Sequence, residues 1–266
     1  MMREHLTFSC DGQQLAGTLD YAGGHTGLFI VSGGNELRAG AFSGMASLAA
    51  RIAEQGFPVF RFDRRGVGDS EGENRGFLHS SADIDAALAA FLKHAPHMGR
   101  VVAFGNCDGA SALALNAHNR FHGLVLSNPW VIETDDAAPP PEAIRARYAE
   151  KLRNPHELLR LMKGEVSFGK LASGIMQAVR PAPPPSTLAD AVRSGIEGFD
   201  GPVRILLAER DRTAQIFAAG WDKADPRILR CDGASHAYAE SESREWLYEV
   251  LVSALTDEQA CEFNMG

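Results

Sequence analysis

Five residues, Gly105-Asn106-Cys107-Asp108-Gly109, constrain this chain more than any others. They follow the apolar run Arg100 to Phe104 and precede a helix-like stretch from Ala110 to Asn119, so the order is strand, sharp turn, helix. A glycine two residues to either side of Cys107 suits a turn so tight that the flanking backbone lies against strand and helix, leaving no room for Cβ atoms. The middle residue of such an elbow is pushed towards solvent at the end of a strand. Cys107 would also sit at a helix N-terminus, where unpaired N–H groups and the helix dipole favour a thiolate over a thiol. The plainer reading of Cys107 is a small core residue; the rest of the constellation favours a nucleophile.

Two further apolar runs end in residues that suit a nucleophile. Val203 to Ala208 empties into Glu209-Arg210-Asp211-Arg212-Thr213, and Arg227 to Cys231 leads into Asp232-Gly233-Ala234-Ser235-His236-Ala237. Asp211 is the candidate acid and His236 the candidate base. The helix after His236 is expected to begin near Glu240. All three candidates lie just beyond the C-terminal end of an expected strand, where open parallel sheets place ligands and chemistry. Glu209 is the nearby rival but belongs to the strand end. A plainer role for Asp211 is a helix N-cap ahead of Thr213. His79, His94, His97, His118 and His122 have no partner motif, and no pair has metal-ligand spacing. The glycine strings lack the P-loop ending and the dinucleotide spacing, so neither metal nor cofactor is expected.

Earlier in the chain, Leu6 to Cys10 and Gln14 to Tyr21, joined at Asp11-Gly12-Gln13, read as an opening β-hairpin. Leu28 to Val31 is a buried strand, followed by Ser32-Gly33-Gly34-Asn35-Glu36 and a helical pattern from Ala41 to Gln55. Glycines in that loop can turn backbone N–H groups towards a developing oxyanion. Gly34 or Asn35 should supply one donor and the N–H of Asp108 the other. Pro58 to Phe62 then ends in Asp63-Arg64-Arg65-Gly66-Val67-Gly68-Asp69-Ser70, read as a loop that braces the active face ahead of a helix from Ser81 to His94. Gly123 to Ser127 is another buried strand, closed by Asn128-Pro129-Trp130. Arg38 and Trp130 are the expected substrate contacts.

From residue 133 to 198 the pattern changes, with Pro139-Pro140-Pro141, helix-like stretches Glu142 to Arg153 and Pro155 to Lys163, and a proline-rich run from Pro181 to Pro185. This is expected to be a helical cap inserted into a core made of residues 1–132 and 199–266. Its Arg145, Arg147, Lys151, Arg153, Arg160 and Lys163 read as solvated helix faces rather than an anion site.

With 266 residues, 45% of them hydrophobic and 23% charged, the chain can bury a large core. A net charge of -8 and no basic run argue against nucleic acid as partner. The four cysteines, Cys10, Cys107, Cys231 and Cys261, lack paired spacing, and a reactive thiol fits a reducing cytoplasm. The opening Met1-Met2-Arg3-Glu4-His5 does not lead into a secretory h-region. No apolar stretch approaches the ~20 residues that span a bilayer.

Taken in this order, the motifs resemble those of an α/β-hydrolase over nearly the full length. That resemblance implies a mostly parallel sheet with helices on both faces, an N-terminal β-hairpin and a helical cap. More narrowly, Gly33-Gly34 with Arg38-Ala39-Gly40, Phe62-Asp63-Arg64-Arg65-Gly66, the elbow through Ala110-Ser111, and Arg210-Asp211-Arg212-Thr213-Ala214 are similar to the exosortase A system-associated hydrolase 1 family. Its members are bacterial and encoded beside exosortase and exopolysaccharide genes, which implies a link to that machinery and leaves the reaction open. The expected chemistry is acyl hydrolysis of an ester or thioester, or acyl transfer, on a small-molecule acyl substrate through Cys107, Asp211 and His236. Dienelactone hydrolases resemble the chain in using a Cys-His-Asp set, which makes lactone opening an alternative. A fold retained as a non-catalytic binding module is the other.

Overall fold

The structure is a computed structural model and describes residues 2–117, 120–133 and 187–264. Strands β1 (Arg3–Cys10) and β2 (Gln13–Asp20) pair antiparallel across Asp11-Gly12, both with positive φ. An Asp-Gly pair suits a tight hairpin turn because both residues tolerate the left-handed region. β2 pairs antiparallel with β4 (Val59–Phe62). From β4 the ladder is parallel through β3 (Thr26–Val31), β5 (Arg100–Asn106), β6 (Gly123–Ser127), β7 (Val203–Ala208) and β8 (Ile228–Cys231). The described residues thus form one eight-stranded sheet in the order β1-β2-β4-β3-β5-β6-β7-β8.

Helices α1 (Gly44–Glu54) and α6 (Ser241–Asn264) cover one face; α2 (Ser81–His94), α3 (Asp108–Asn116), α4 (Thr187–Glu197) and α5 (Arg212–Ala219) cover the other. The strands are apolar on both sides because each faces two helical layers. Leu28 and Ile30 of β3 enter the core under α1 and α6, whereas Phe29 and Val31 enter the other. On that second side Phe29 packs on Phe121 and Phe60 stacks on Phe91, each pair with ring centroids 5.4 Å apart. Each such ring contributes about 1.5–3 kcal/mol by leaving water. This is the expected α/β-hydrolase fold, parallel sheet, hairpin and two-sided helices included.

One stretch packs differently from its sequence assignment. Thr187–Glu197 falls within the 133–198 insertion expected as a cap, yet as α4 it lies on α3, with Val192 and Ile196 in the core. Gly195 makes the approach feasible, since a Cβ there would stand 2.0 Å from the carbonyl oxygen of Ala114. Residues 134–186 of the expected cap, with its proline runs, both helix-like stretches and Arg145, Arg147, Lys151, Arg153, Arg160 and Lys163, lie outside the described residues, as does His118.

The strand order places the site. It reverses between β3 and β5, because the connection after β3 leads to β4 on one side and the next leads back to β5 on the other. Loops leaving adjacent strands in opposite directions open a crevice at the C-terminal strand ends. The loops after β3 and β5 are the oxyanion loop and the elbow.

Candidate active site

Cys107 joins β5 to α3 with φ 59° and ψ −126°, a backbone conformation that an L-residue adopts only when its surroundings enforce it. Those surroundings are the three glycines. A Cβ on Gly105 would meet the backbone of Gly109 at 2.6 Å, and one on Gly109 would meet the Val31 carbonyl at 2.5 Å. A Cβ on Gly33 would lie 2.5 Å from the Asn106 carbonyl and 2.9 Å from the Cys107 Cβ, so the oxyanion loop rests directly on the elbow. The Cys107 N–H donates to the Ser127 carbonyl at 2.9 Å, which anchors the turn to the end of β6.

Asp211 and His236 arrive from β7 and β8. The Asp211 carboxylate, only 8% exposed, faces His236 Nδ1 at 3.0 Å through Oδ2. The same oxygen accepts the N–H of Ala214 at 3.1 Å, capping α5. The N-cap and candidate-acid readings of Asp211 are therefore two uses of one carboxylate. Glu209 is exposed; its N–H pairs with the Cys231 carbonyl at 3.1 Å. Hydrogen bonds from the ring to Asp211, and to the sulfur of Cys107, raise the His236 pKa from 6.5 to about 10, overriding the opposing effect of burial. The pairing with Asp211 thus favours the protonated ring.

Residues that sequence reading left aside hold this line in place. Asn106 Nδ2 donates to the His236 carbonyl at 3.2 Å, and its Oδ1 accepts from Asn128 Nδ2 at 2.9 Å. Asn128, fully buried with φ 47°, accepts the Ala208 N–H at 2.9 Å. Ser127 Oγ and Tyr238 OH lie 2.9 Å apart. The two asparagines link the ends of β5, β6 and β7 to the histidine loop. The only signal for them in the sequence is an amide at the last residue of β5 and another just after β6.

The oxyanion loop differs from its expectation in one respect. The Gly34 N–H, an expected donor, already donates to Asp108 Oδ1 at 2.6 Å. Asn35 is exposed, and its side-chain oxygen accepts from Asn74 at 2.7 Å. Asp108 N is the first of α3, and the residue four before it, Phe104, lies in β5, so it has no intrahelical acceptor. Arg64 closes the group: its Nη2 donates to the Gly34 carbonyl and to Asp108 Oδ1, the latter at 3.1 Å.

Arg38 and Trp130, the expected substrate contacts, diverge. Arg38 donates from Nε to Thr18 at 3.0 Å and from Nη1 to the fully buried Asp63, and its Nη2 forms an ion pair with Asp69 at 2.9 Å. These contacts brace the oxyanion loop against β2 and the Asp63 loop and place none of its nitrogens at Cys107. The Asp63–Ser70 loop is itself built for bracing, with Ser70 Oγ donating to the Asp63 carbonyl at 2.6 Å while accepting the Ala16 N–H at 2.9 Å. Trp130 remains beside the elbow, its N–H reaching the Cys107 carbonyl at 3.3 Å and its own carbonyl accepting from Ser111 at 2.7 Å. Among the described residues no group of three His, Cys, Asp or Glu side chains is arranged to hold a metal ion.

A cysteine on a strained strand-to-helix turn, a histidine and a carboxylate from successive strand ends, and a glycine loop against the turn thus lie together at the C-terminal ends of the strands. The chain belongs to the alpha/beta hydrolase family, whose sequence model matches residues 28–250. No curated protein matches it in sequence. Among solved structures it is similar to an esterase from Pyrococcus furiosus, with a TM-score of 0.62 and 15% identity over 96% of this chain and 91% of that one. It is likewise similar to DcsB, solved with a substrate analogue, with a TM-score of 0.65 and 17% identity over 97% and 100%. Est1E from Butyrivibrio proteoclasticus, solved with ferulic acid, gives a TM-score of 0.62 and 16% identity over 96% and 99%. At these identities the likeness is one of fold. No described helix is long and apolar enough to cross a membrane.

Proposed function

We propose that the chain is a hydrolase or acyltransferase that acts on carboxylic esters or thioesters through a Cys107 thiolate. The observation that carries this reading is the pairing of His236 Nδ1 with Asp211 Oδ2 at 3.0 Å, in a loop tied by Asn106 to the strained Cys107 elbow. In the proposed cycle the thiolate adds to the acyl carbonyl, and backbone N–H groups of Asp108 and the Gly34 loop hold the tetrahedral oxyanion. Each such donor is worth on the order of 3 kcal/mol of barrier. His236 then gives its proton to the leaving group and regains one from water or another acceptor, while Asp211 keeps the ring oriented.

Sulfur narrows the substrate. A thiolate leaves more readily than an amide anion, so an amide adduct depends most on the His236 proton to go forward, whereas esters, lactones and thioesters proceed more readily. The thioester intermediate is open to amines and alcohols as well as water, which places acyl transfer within reach.

The sequence strings shared with exosortase-associated hydrolases support a substrate from envelope or polysaccharide synthesis. The four free cysteines suit a reducing, cytoplasmic setting.

The test is a panel of activated esters, lactones and acyl thioesters offered to wild type and Cys107→Ala, with intact-mass detection of an acyl adduct. A Cys107-dependent adduct supports the reading, and preference for lactones would redirect it to lactone opening. No adduct with any member would favour a binding module instead.

A further inference from the structure

One oxygen of Asp108 already takes the N–H of Gly34, an expected oxyanion donor. An N–H has a single hydrogen and therefore a single direction in which an acceptor can lie at good geometry. Asp108 Oδ1 takes that direction from Gly34 N at 2.6 Å and also receives Arg64 Nη2 at 3.1 Å. A substrate oxyanion that uses Gly34 must replace this oxygen, and it then inherits the guanidinium as well as the backbone donor.

Arg64 is poised for that exchange. It is only 6% exposed, its Nη2 is fixed on the Gly34 carbonyl, and its buried Nη1 has no hydrogen-bond partner among the described residues. A buried guanidinium needs an anion beside it. Asp108, whose side chain is 17% exposed, is the carboxylate paired with it and sits one residue after the nucleophile. The neighbouring Arg65 is directed elsewhere, on Asp83 and Asp11.

Resting on the acyl reading above, we propose that the Asp108 carboxylate is a built-in occupant of the oxyanion site and that Arg64 is a charged catalytic donor to the oxyanion that displaces it. In the step itself the Cys107 thiolate forms a C–S bond and the carbonyl π pair moves onto oxygen. That oxygen takes the Gly34 N–H and Arg64 Nη2, and the Asp108 carboxylate turns out to water. On collapse the oxygen regains its double bond, the leaving group departs with the His236 proton, and Asp108 returns. The charge beside Arg64 is balanced throughout, first by carboxylate and then by oxyanion.

The experiment compares two reactions of the same thiol in wild type, Asp108→Ala, Arg64→Met and Arg64→Lys. Alkylation by iodoacetamide is a displacement that builds no oxyanion, whereas acylation by p-nitrophenyl acetate, read as the burst, builds one. The ratio of acylation to alkylation rate should rise about tenfold in Asp108→Ala. It should fall about 100-fold in Arg64→Met, as for loss of an oxyanion donor, with Arg64→Lys between. If Arg64→Met does not fold, Asp108→Ala and Arg64→Lys decide. An unchanged ratio in Asp108→Ala or in the folded Arg64 variants overturns this proposal alone. A wild type that is alkylated but never acylated overturns the acyl reading with it.

Discussion

Asp211 Oδ2 holds His236 Nδ1 at 3.0 Å and the N–H of Ala214 at 3.1 Å, so one oxygen both orients the imidazole and caps the helix behind it. The helix N-terminus fixes the carboxylate, and the carboxylate fixes the ring. Replacing it should therefore cost stability as well as chemistry. Asp211→Ala is expected to destabilise by about 1–2 kcal/mol through the lost cap. Asp211→Asn, which can still accept from Ala214, should keep most of that stability yet lose turnover. Chemical denaturation beside steady-state rates checks the split.

The His236 pKa is raised, so the sign of its pH dependence is set. A raised value means that the stability it adds is fully present below 6.5 and is lost as pH climbs through about 10. The ring should therefore titrate by NMR well above 6.5 in wild type and shift back towards 6.5 in Cys107→Ala and Asp211→Asn. A wild-type midpoint near 6.5 would sink the proposed ion pair.

Cys107 stores backbone strain at φ 59°, ψ −126°, worth about 1–3 kcal/mol in such regions. Cys107→Gly should relieve it and raise stability by about 1 kcal/mol while abolishing turnover. Cys107→Ala should abolish turnover with little change in stability. Thermal melts of the two variants together report the strain.

Gly33→Ala would bring a Cβ within 2.5 Å of the Asn106 carbonyl, so the loop must shift. Turnover should fall by about two orders of magnitude if the shift misplaces one oxyanion donor. Cys107 should remain open to alkylation, which separates a displaced donor from a collapsed fold.

Arg38→Met tests the brace. It leaves the buried Asp63 without its guanidinium partner, and about 2–3 kcal/mol of stability should be lost. A rise in KM with unchanged stability would instead restore Arg38 to the substrate.

Much of this architecture was legible before any coordinates. The runs Val203 to Ala208 and Gly123 to Ser127 are strands with those same ends, and Ser81–His94 is a helix with the same bounds, because short apolar runs between breakers and a stretch rich in alanine and leucine without glycine or proline are local signals. The order of elbow, acid loop and histidine loop was also visible, since each is punctuated by glycine or charge at a strand end. Thr187–Glu197 was assigned to the cap because its proline-rich flank dominates the local pattern, whereas its packing depends on Gly195 meeting α3, far away in sequence.

The sequence by itself determined the alternation of strands and helices, the elbow and which candidate side chains stand at the strand ends. Their chemistry and periodicity are properties of residues within a few positions of one another. Tertiary structure decided that Arg38 is a brace, that Asn106 and Asn128 hold the histidine loop, and that Asp108 and Arg64 meet on Gly34. Those contacts join residues 22 to 130 positions apart, through directional hydrogen bonds whose partners exist only once the sheet has brought its strand ends together.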